Sequence, residues 1–341
     1  MHKLKLCSYN IKWMAHLFKK KGVEPLTGSS EEAERSKAIA YVIKAVDPDI
    51  LGICEAPNSP QHLENWVREF LSDAGYNVVM AEEGFLSRGQ QELAVLYKSE
   101  KVHVGVAHER NAKRDPFNGR FEFDTDDDRI EEIHRFYRPP LEALITTPDG
   151  NRELAMLMVT HTKSKGIFNA VDLLTYERSS RRNRLKLLAQ CSWIRKRVDQ
   201  WMNEDGCQVI VMGDFNDGPE MDYDERRLCK SAVEIVMGSI WEPSGVLQNA
   251  VEKPGWRWSR NRKKAGWMPA SACFKDRFTE DYVNVLIDHV LFSQGIKISE
   301  PGCGRVWNPY QNEKEIGDKK LREALDKASD HYPVSVEVEI E

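Results

Sequence analysis

Apolar runs of strand length alternate with helix-like segments from one end of this chain to the other. Strand-like runs fall at residues 4–9, 50–54, 77–80, 93–97, 141–147, 154–160, 208–212, 285–292 and 334–340. In the last, Val334, Val336, Val338 and Ile340 alternate with Ser335, Glu337 and Glu339, the period of a half-buried strand. Helical patterns lie between the runs. Ser30 followed by Glu31, Glu32 and Glu34 opens one of them. It stops at Asp47-Pro48, because the residue before a proline avoids the helical region. Residues 61–74 read as a second helix. A third runs roughly over 176–203, with Leu185, Leu188, Ile194, Val198 and Trp201 on one stripe. This alternation predicts an α/β layered fold. No Gly/Ser/Pro linker and no internal repeat divides the 341 residues. One domain over 1–341 is therefore expected, with charged surface insertions near 110–135 and 252–281.

Composition narrows the function only loosely. A formal net charge of −5 leaves no global basic field, so any polyanion must be bound by local patches. The seven cysteines are scattered and never spaced as CxxC, which fits neither a disulfide framework nor a structural zinc site. Met1-His2-Lys3-Leu4-Lys5-Leu6 lacks the apolar core of a signal peptide. The longest hydrophobic run, 154–159, is far too short to span a bilayer. A cytoplasmic setting without a membrane segment is expected, and nothing implies a protein partner.

The chemistry gathers where strands end. The run Val209-Ile210-Val211-Met212 stops abruptly in Gly213-Asp214-Phe215-Asn216-Asp217. In α/β sheets, ligand sites form at the carboxyl ends of strands. Turn chemistry alone also enriches such boundaries in Gly, Asp and Asn, so one instance decides little. Others follow the same pattern: Ser8-Tyr9-Asn10, Gly52-Ile53-Cys54-Glu55 and Thr160-His161-Thr162-Lys163-Ser164. Ile287-Asp288-His289 opens a strand, and Ser329-Asp330-His331 precedes the last one. Singly, each has a plain structural explanation. Jointly, Glu55, Asp214 and Asp330 with carboxamides suit Mg²⁺, or Mn²⁺ in its place, both of which prefer oxygen ligands. The histidines lack the cysteine partners or spacing of a zinc centre.

The ordered series Tyr9-Asn10, Glu55, His161, Gly213-Asp214-Phe215-Asn216, Ile287-Asp288 and Ser329-Asp330-His331 resembles the endonuclease/exonuclease/phosphatase superfamily, over residues 4–340. The resemblance implies a deoxyribonuclease-I-like fold, a four-layer α/β sandwich of two mixed sheets face to face with helices outside. It implies a divalent-metal-dependent phosphodiesterase, a nuclease before a phosphomonoesterase or a phospholipid- or inositol-phosphate-directed enzyme. A catalytically inactive scaffold comes last. Residue by residue, Glu55 resembles the main metal ligand, with Asn10 and Asp330 completing or supporting the metal's environment. Asp214, with Asn216 beside it, resembles the group that orients or deprotonates water. His331 resembles the histidine on the scissile phosphate, Asp288 the acid that orients it, and His161 a second phosphate-side histidine. Arg138 and Lys163 stand where phosphate contacts are expected, and Gln91 or Glu92 near an acid that supports the His161 counterpart. After Glu55 the chain departs from the family's nucleases, reading Ala56-Pro57-Asn58, which weakens the case for cutting double-stranded DNA.

Three further signals lie outside that series. Asp124-Thr125-Asp126-Asp127-Asp128 fails the EF-hand pattern, because Arg129 and Arg135 occupy its Gly and Glu positions. Trp256-Arg257-Trp258-Ser259-Arg260 with Arg262, Lys263 and Lys264 mixes aromatics with cations, the combination that binds single strands by stacking and charge. The tryptophans read rather as a strand leading into a basic turn, with the turn left open to either role. Arg178, Arg181, Arg182 and Arg184 crowd the start of the long helix, where cations oppose the helix dipole. That placement hints at an anionic partner.

Overall fold

The computed structural model describes residues 1–81, 91–107, 110–167, 170–218, 230–251, 269–275, 280–300, 303–311 and 316–341. The segment around Trp256–Lys264 lies outside them. In chain order come β1 (His2–Asn10), α1 (Glu31–Val46), β2 (Ile50–Ala56), α2 (Pro60–Phe70), β3 (Tyr76–Met80), β4 (Glu92–Lys98), β5 (His103–Val106), β6 (Phe121–Phe123) and β7 (Glu132–His134). Next are β8 (Leu141–Thr146), β9 (Glu153–His161), α3 (Leu173–Asp199), β10 (Val209–Asp214) and a short helix, Ala232–Met237. The chain closes with β11 (Gln248–Asn249), β12 (Ala272–Lys275), β13 (Tyr282–Val285), β14 (Asp288–Phe292), β15 (Lys297–Ile298), β16 (Arg305–Val306), a helix at Lys319–Ala328 and β17 (Val334–Ile340).

Two large mixed sheets result. One runs β15-β17-β1-β2-β4-β3 and the other β11-β14-β10-β9-β8-β5. Each contains one parallel pair, β1/β2 and β9/β10. Parallel neighbours need a crossover, which α1 supplies in the first sheet and α3 in the second. The other ladders are antiparallel, so the start of β14 lies beside the end of β10, and Asp288 stands opposite Asp214. Likewise β17 runs antiparallel to β1, with Val334 opposite Ser8. Four strand ends and two strand beginnings thus converge at one end of the sandwich.

Side-chain alternation accounts for the layers. On β10, Ile210 and Met212 join the core shared with the first sheet, while Val209 and Val211 face the core beneath α3. On β9, Leu157 and Val159 point inward and Met156 and Met158 outward. Covered on both faces, such strands read as unbroken apolar runs. α1, α2 and the helix Lys319–Ala328 cover the first sheet; α3 and Ala232–Met237 cover the second. The expected four-layer, deoxyribonuclease-I-like sandwich is what the chain forms.

Local signals explain most boundaries. The Ser30 hydroxyl accepts the Ala33 N–H and caps α1. Asp47 ends that helix in the left-handed region, returning its N–H to the Ile43 carbonyl. The run at 285–292 is two strands rather than one, because the Ile287 and Asp288 N–H groups both bond the Ser271 hydroxyl at the break. The charge-dense 110–135 stretch is not wholly a surface insertion. Its Phe117 and Phe121 are buried with Phe136 against Trp193 of α3. Of 252–281, the described part contributes the β12–β13 ladder and a fully buried Ser271.

Gly213 carries a constraint of its own. Its φ is +144, and a Cβ there would lie 1.9 Å from the Thr160 carbonyl oxygen on β9. Gly213→Ala is expected to destabilise the protein by at least about 1–3 kcal/mol through backbone strain alone. Urea unfolding measures it; an unchanged midpoint would refute the requirement for glycine.

Candidate active site

The convergent strand ends build the site. Asn10 closes β1 and points its amide across the sandwich, so that Nδ2 donates to Asp214 Oδ2 at 3.0 Å and to Glu55 Oε1 at 3.5 Å. Glu55 occupies a β-bulge where the β2–β4 register shifts between Cys54 and Ala56, with φ +61. Bulges and left-handed non-glycine residues re-aim side chains at functional sites. The Trp13 N–H, itself from a left-handed residue, donates to Glu55 Oε2 at 2.8 Å. Cys54 adds a further link between the sheets, its Sγ lying 3.3 Å from the Thr160 carbonyl.

Asp214 is the centre. It is 2% exposed, and both its oxygens are engaged. The Asn216 N–H donates to Oδ1 at 2.8 Å, and His161 Nε2 lies 3.3 Å from Oδ2. Burial, with Asp288 as a second carboxylate nearby, raises the Asp214 carboxyl to about 7. His161 is buried too. Burial, then repulsion from Arg138 and His331, keeps its ring well below the usual histidine range. His161 Nδ1 has no hydrogen-bond partner among the described residues.

His331 is the opposite case. Its Nδ1 donates to Asp288 Oδ2 at 2.8 Å, and its Nε2 faces Asp214 Oδ2 at 4.0 Å. Burial disfavours the imidazolium, but Asp288, by attraction and hydrogen bond, and then Asp214 outweigh it and raise His331 to about 10. Asp288 is fully buried, and its Oδ2 also accepts the Ser271 hydroxyl at 2.8 Å. A cation held by Asp288 thus faces Asp214, a carboxylate that ionises near neutrality.

The phosphate-side residues form a second wall. Arg138 donates to Gln91 Oε1 at 2.5 Å and to the carbonyls of His161 and Thr162 at 3.3 and 3.0 Å. Gln91 thus serves Arg138, and Glu92 opens β4 opposite Ala56. Asn216, with φ +50, returns its amide to the Thr162 carbonyl at 3.2 Å. Lys163 is half-buried, with its N–H on Gln190 Oε1 at 2.7 Å. Asp217 is buried beneath the loop, between Lys165 at 2.9 Å and Arg184 at 2.8 Å. Arg184 therefore parts company with the exposed arginines beside it in sequence.

Oxygen donors suited to a divalent ion are present. Asn10 Oδ1 is buried with no hydrogen-bond partner among the described residues, and such an orphan acceptor costs about 1–3 kcal/mol unless something satisfies it. A hard cation shared with Glu55 would do so. Asp330 is held instead by Lys12 at 2.6 Å. Asp214, Asp288 and His331 also offer ligand atoms within 4.8 Å of one another, but the Nδ1 contact to Asp288 marks a proton-holding pair. Asp124, Asp126 and Asp128 are equally close together. There Asp124 accepts the Asp128 and Arg129 N–H groups, and Arg181 pairs with Asp126.

Sequence reasoning missed Ser271, the Trp13 N–H, Gln91 as partner of Arg138, and Asp217. Only Asp217, beside the motif, carried a visible signal.

A buried carboxylate opposite a held imidazolium, with oxygen donors for a cation, defines the class as a phosphoester hydrolase fold of the deoxyribonuclease-I-like type. The chain belongs to the Endonuclease/Exonuclease/phosphatase family, whose model matches residues 7–331. Members of that family are hydrolytic, divalent-metal-dependent phosphoesterases. No curated protein matches in sequence. Among solved structures, a truncated Caenorhabditis elegans TDP2 is 16% identical with a TM-score of 0.53, covering 98% of this chain and 97% of that one. The human Nocturnin catalytic domain is 14% identical, with a TM-score of 0.50 over 100% and 96% of the two chains. A family protein from Bacteroides vulgatus is 16% identical, with a TM-score of 0.50 over 100% of both. At such identities these likenesses speak to the fold.

Proposed function

We propose that the protein is a divalent-metal-dependent phosphodiesterase that hydrolyses nucleic acid by attack of water on phosphorus. The observation that carries this is the facing of Asp214, which ionises near 7, and the His331 imidazolium, 4.0 Å apart. Asn10, His161 and Asn216 fix Asp214 to receive a proton from water. His331 Nε2–H offers charge to a phosphoryl oxygen, with Asp288 and Ser271 fixing its ring. Arg138 adds a second cation, and Lys163 a third at the loop edge. Asn10 and Glu55 would hold Mg²⁺, or Mn²⁺ in its place, which when bound supplies Lewis acidity to the phosphoryl and leaving-group oxygens. Asp330 is proposed as an outer support of that ion. Its pair with exposed Lys12 is weak enough to yield.

Purified protein with Mg²⁺ is expected to cleave single-stranded DNA or RNA faster than p-nitrophenyl phosphate. The reverse preference would favour a phosphomonoesterase. Glu55→Gln is expected to weaken Mn²⁺ binding at least about tenfold, by analogy with the loss seen for supporting residues. Calorimetric titration checks it; equal affinity would move the ion elsewhere. Among the described residues no helix is long and apolar enough to cross a membrane. The cytoplasmic setting is proposed from the scatter of cysteines.

A further inference from the structure

The cationic head of α3 is not used by the chemistry above. Arg178, Arg182 and Lys186 recur four residues apart, so their side chains stack along one face of the helix. All three are exposed. Like charges at this spacing repel. Yet among the described residues none gives Arg178, Arg182 or Lys186 a hydrogen bond or an ion pair, in contrast to Arg181, which Asp126 holds, and Arg184, which Asp217 holds.

The stripe leads into the catalytic centre. One turn beyond Lys186, Gln190 accepts the Lys163 N–H at 2.7 Å, while its own amide donates to the Arg135 carbonyl at 3.4 Å. From Arg178 to Gln190 the helix rises about 18 Å. The Lys163 ammonium is depressed by burial and by the proximity of Arg138, Lys186 and Arg182, so these cations share one field. Beside the stripe runs a groove of about 340 Å³. Its far wall holds exposed Ile133 and the 9%-exposed His134, whose Nε2 lies 3.6 Å from Oε2 of Glu132, a carboxylate that also lines the groove. Tyr176, 39% exposed, stands two residues before Arg178, and Tyr137, 49% exposed, is the chain neighbour of Arg138.

Building on the phosphodiesterase function above, we propose that this face of α3 is a docking track for a single nucleic-acid strand, guiding its scissile phosphate to Asp214 and His331. A line of cations with rings nearby matches a chain of phosphates and unstacked bases. A membrane would need a plane of contact, and the exposed aliphatic residues Val171, Leu173 and Leu174 precede the stripe rather than join it.

Fluorescence anisotropy of a labelled single-stranded 20-mer, in EDTA so that no turnover occurs, tests the track directly. Arg178→Glu/Arg182→Glu is compared with wild type, and the milder Arg178→Ala/Arg182→Ala/Lys186→Ala variant guards against misfolding. Affinity is expected to fall at least about tenfold. Loss of three phosphate contacts is expected to reduce the salt slope of log K by about 2. In turnover, KM for the oligomer rises, while kcat/KM for bis(p-nitrophenyl) phosphate is unchanged. Unchanged affinity for the oligomer overturns the track, as does an equal loss on the small diester. Loss of binding only to phosphatidylserine vesicles also overturns it. If neither substrate is hydrolysed by wild type, the phosphodiesterase function fails, while the binding measurement still decides the track.

Discussion

Asp214→Asn is expected to lower kcat by about 10²–10⁴, the range lost with a positioned proton acceptor. The substitution keeps the shape but removes the charge, and one of the two oxygens that accept from Asn10 and Asn216 becomes a donor. A second readout separates lost chemistry from lost structure. The folded-state value of Asp214, about 7, lies above its ordinary 3.8. Its contribution to stability is therefore complete below about 3.8 and is lost as pH rises through 7. Metal-free wild type should lose stability across that window, and Asp214→Asn should show a flatter profile. Chemical denaturation at pH 4, 6 and 8 in EDTA measures the difference. Parallel profiles in the two proteins would remove Asp214 from the centre of the electrostatics.

His331→Gln is expected to cost about 10²–10³ in kcat, the loss typical of one preorganised donor to developing negative charge. The pH dependence is sharper evidence. His331 titrates near 10 in the fold, above its ordinary 6.5. Its contribution to stability is full below 6.5 and disappears as pH rises through 10. Activity that needs the imidazolium falls over the same alkaline limb, giving a bell with an acid limb from Asp214. The two limbs report the coupled pair rather than either residue alone. Asp288→Asn removes the main source of the shift, so the alkaline limb should move down towards neutrality while activity at pH 6 is partly kept. A limb that stays in place would mean that Asp288 orients the ring without charging it.

Much of this site was legible along the chain because a buried strand must end where its polar residues can be used. Asn10, Glu55, His161, Asp214, Asp288 and His331 all announce themselves as chemistry at the edge of apolar runs. The layered fold was legible for the same reason, since strands covered on both faces read as unbroken Val/Ile/Leu runs. What stayed hidden depends on backbone geometry or on distant partners. Nothing in Trp13 says that its N–H will meet Glu55, and nothing in Glu55 says that it occupies a bulge. Ser271 lies in a stretch whose charges suggest surface, yet its hydroxyl is the hinge that splits β13 from β14 and steadies Asp288. Phe117 and Phe121 were hidden by charged neighbours, and only the tertiary fold brings them against Trp193. Arg184 looked like its exposed neighbours because only the tertiary fold brings Asp217 beneath it.

The most direct measurement follows the oxygen. Hydrolysis of bis(p-nitrophenyl) phosphate in ¹⁸O-labelled water, with Mg²⁺ or Mn²⁺, is read by mass spectrometry of both products. The expected result is label in the phosphomonoester, with turnover abolished by EDTA and reduced at least about a hundredfold in Asp214→Asn. Label in the released nitrophenol, or undiminished turnover in EDTA or in Asp214→Asn, would contradict metal-assisted attack of water on phosphorus at this site.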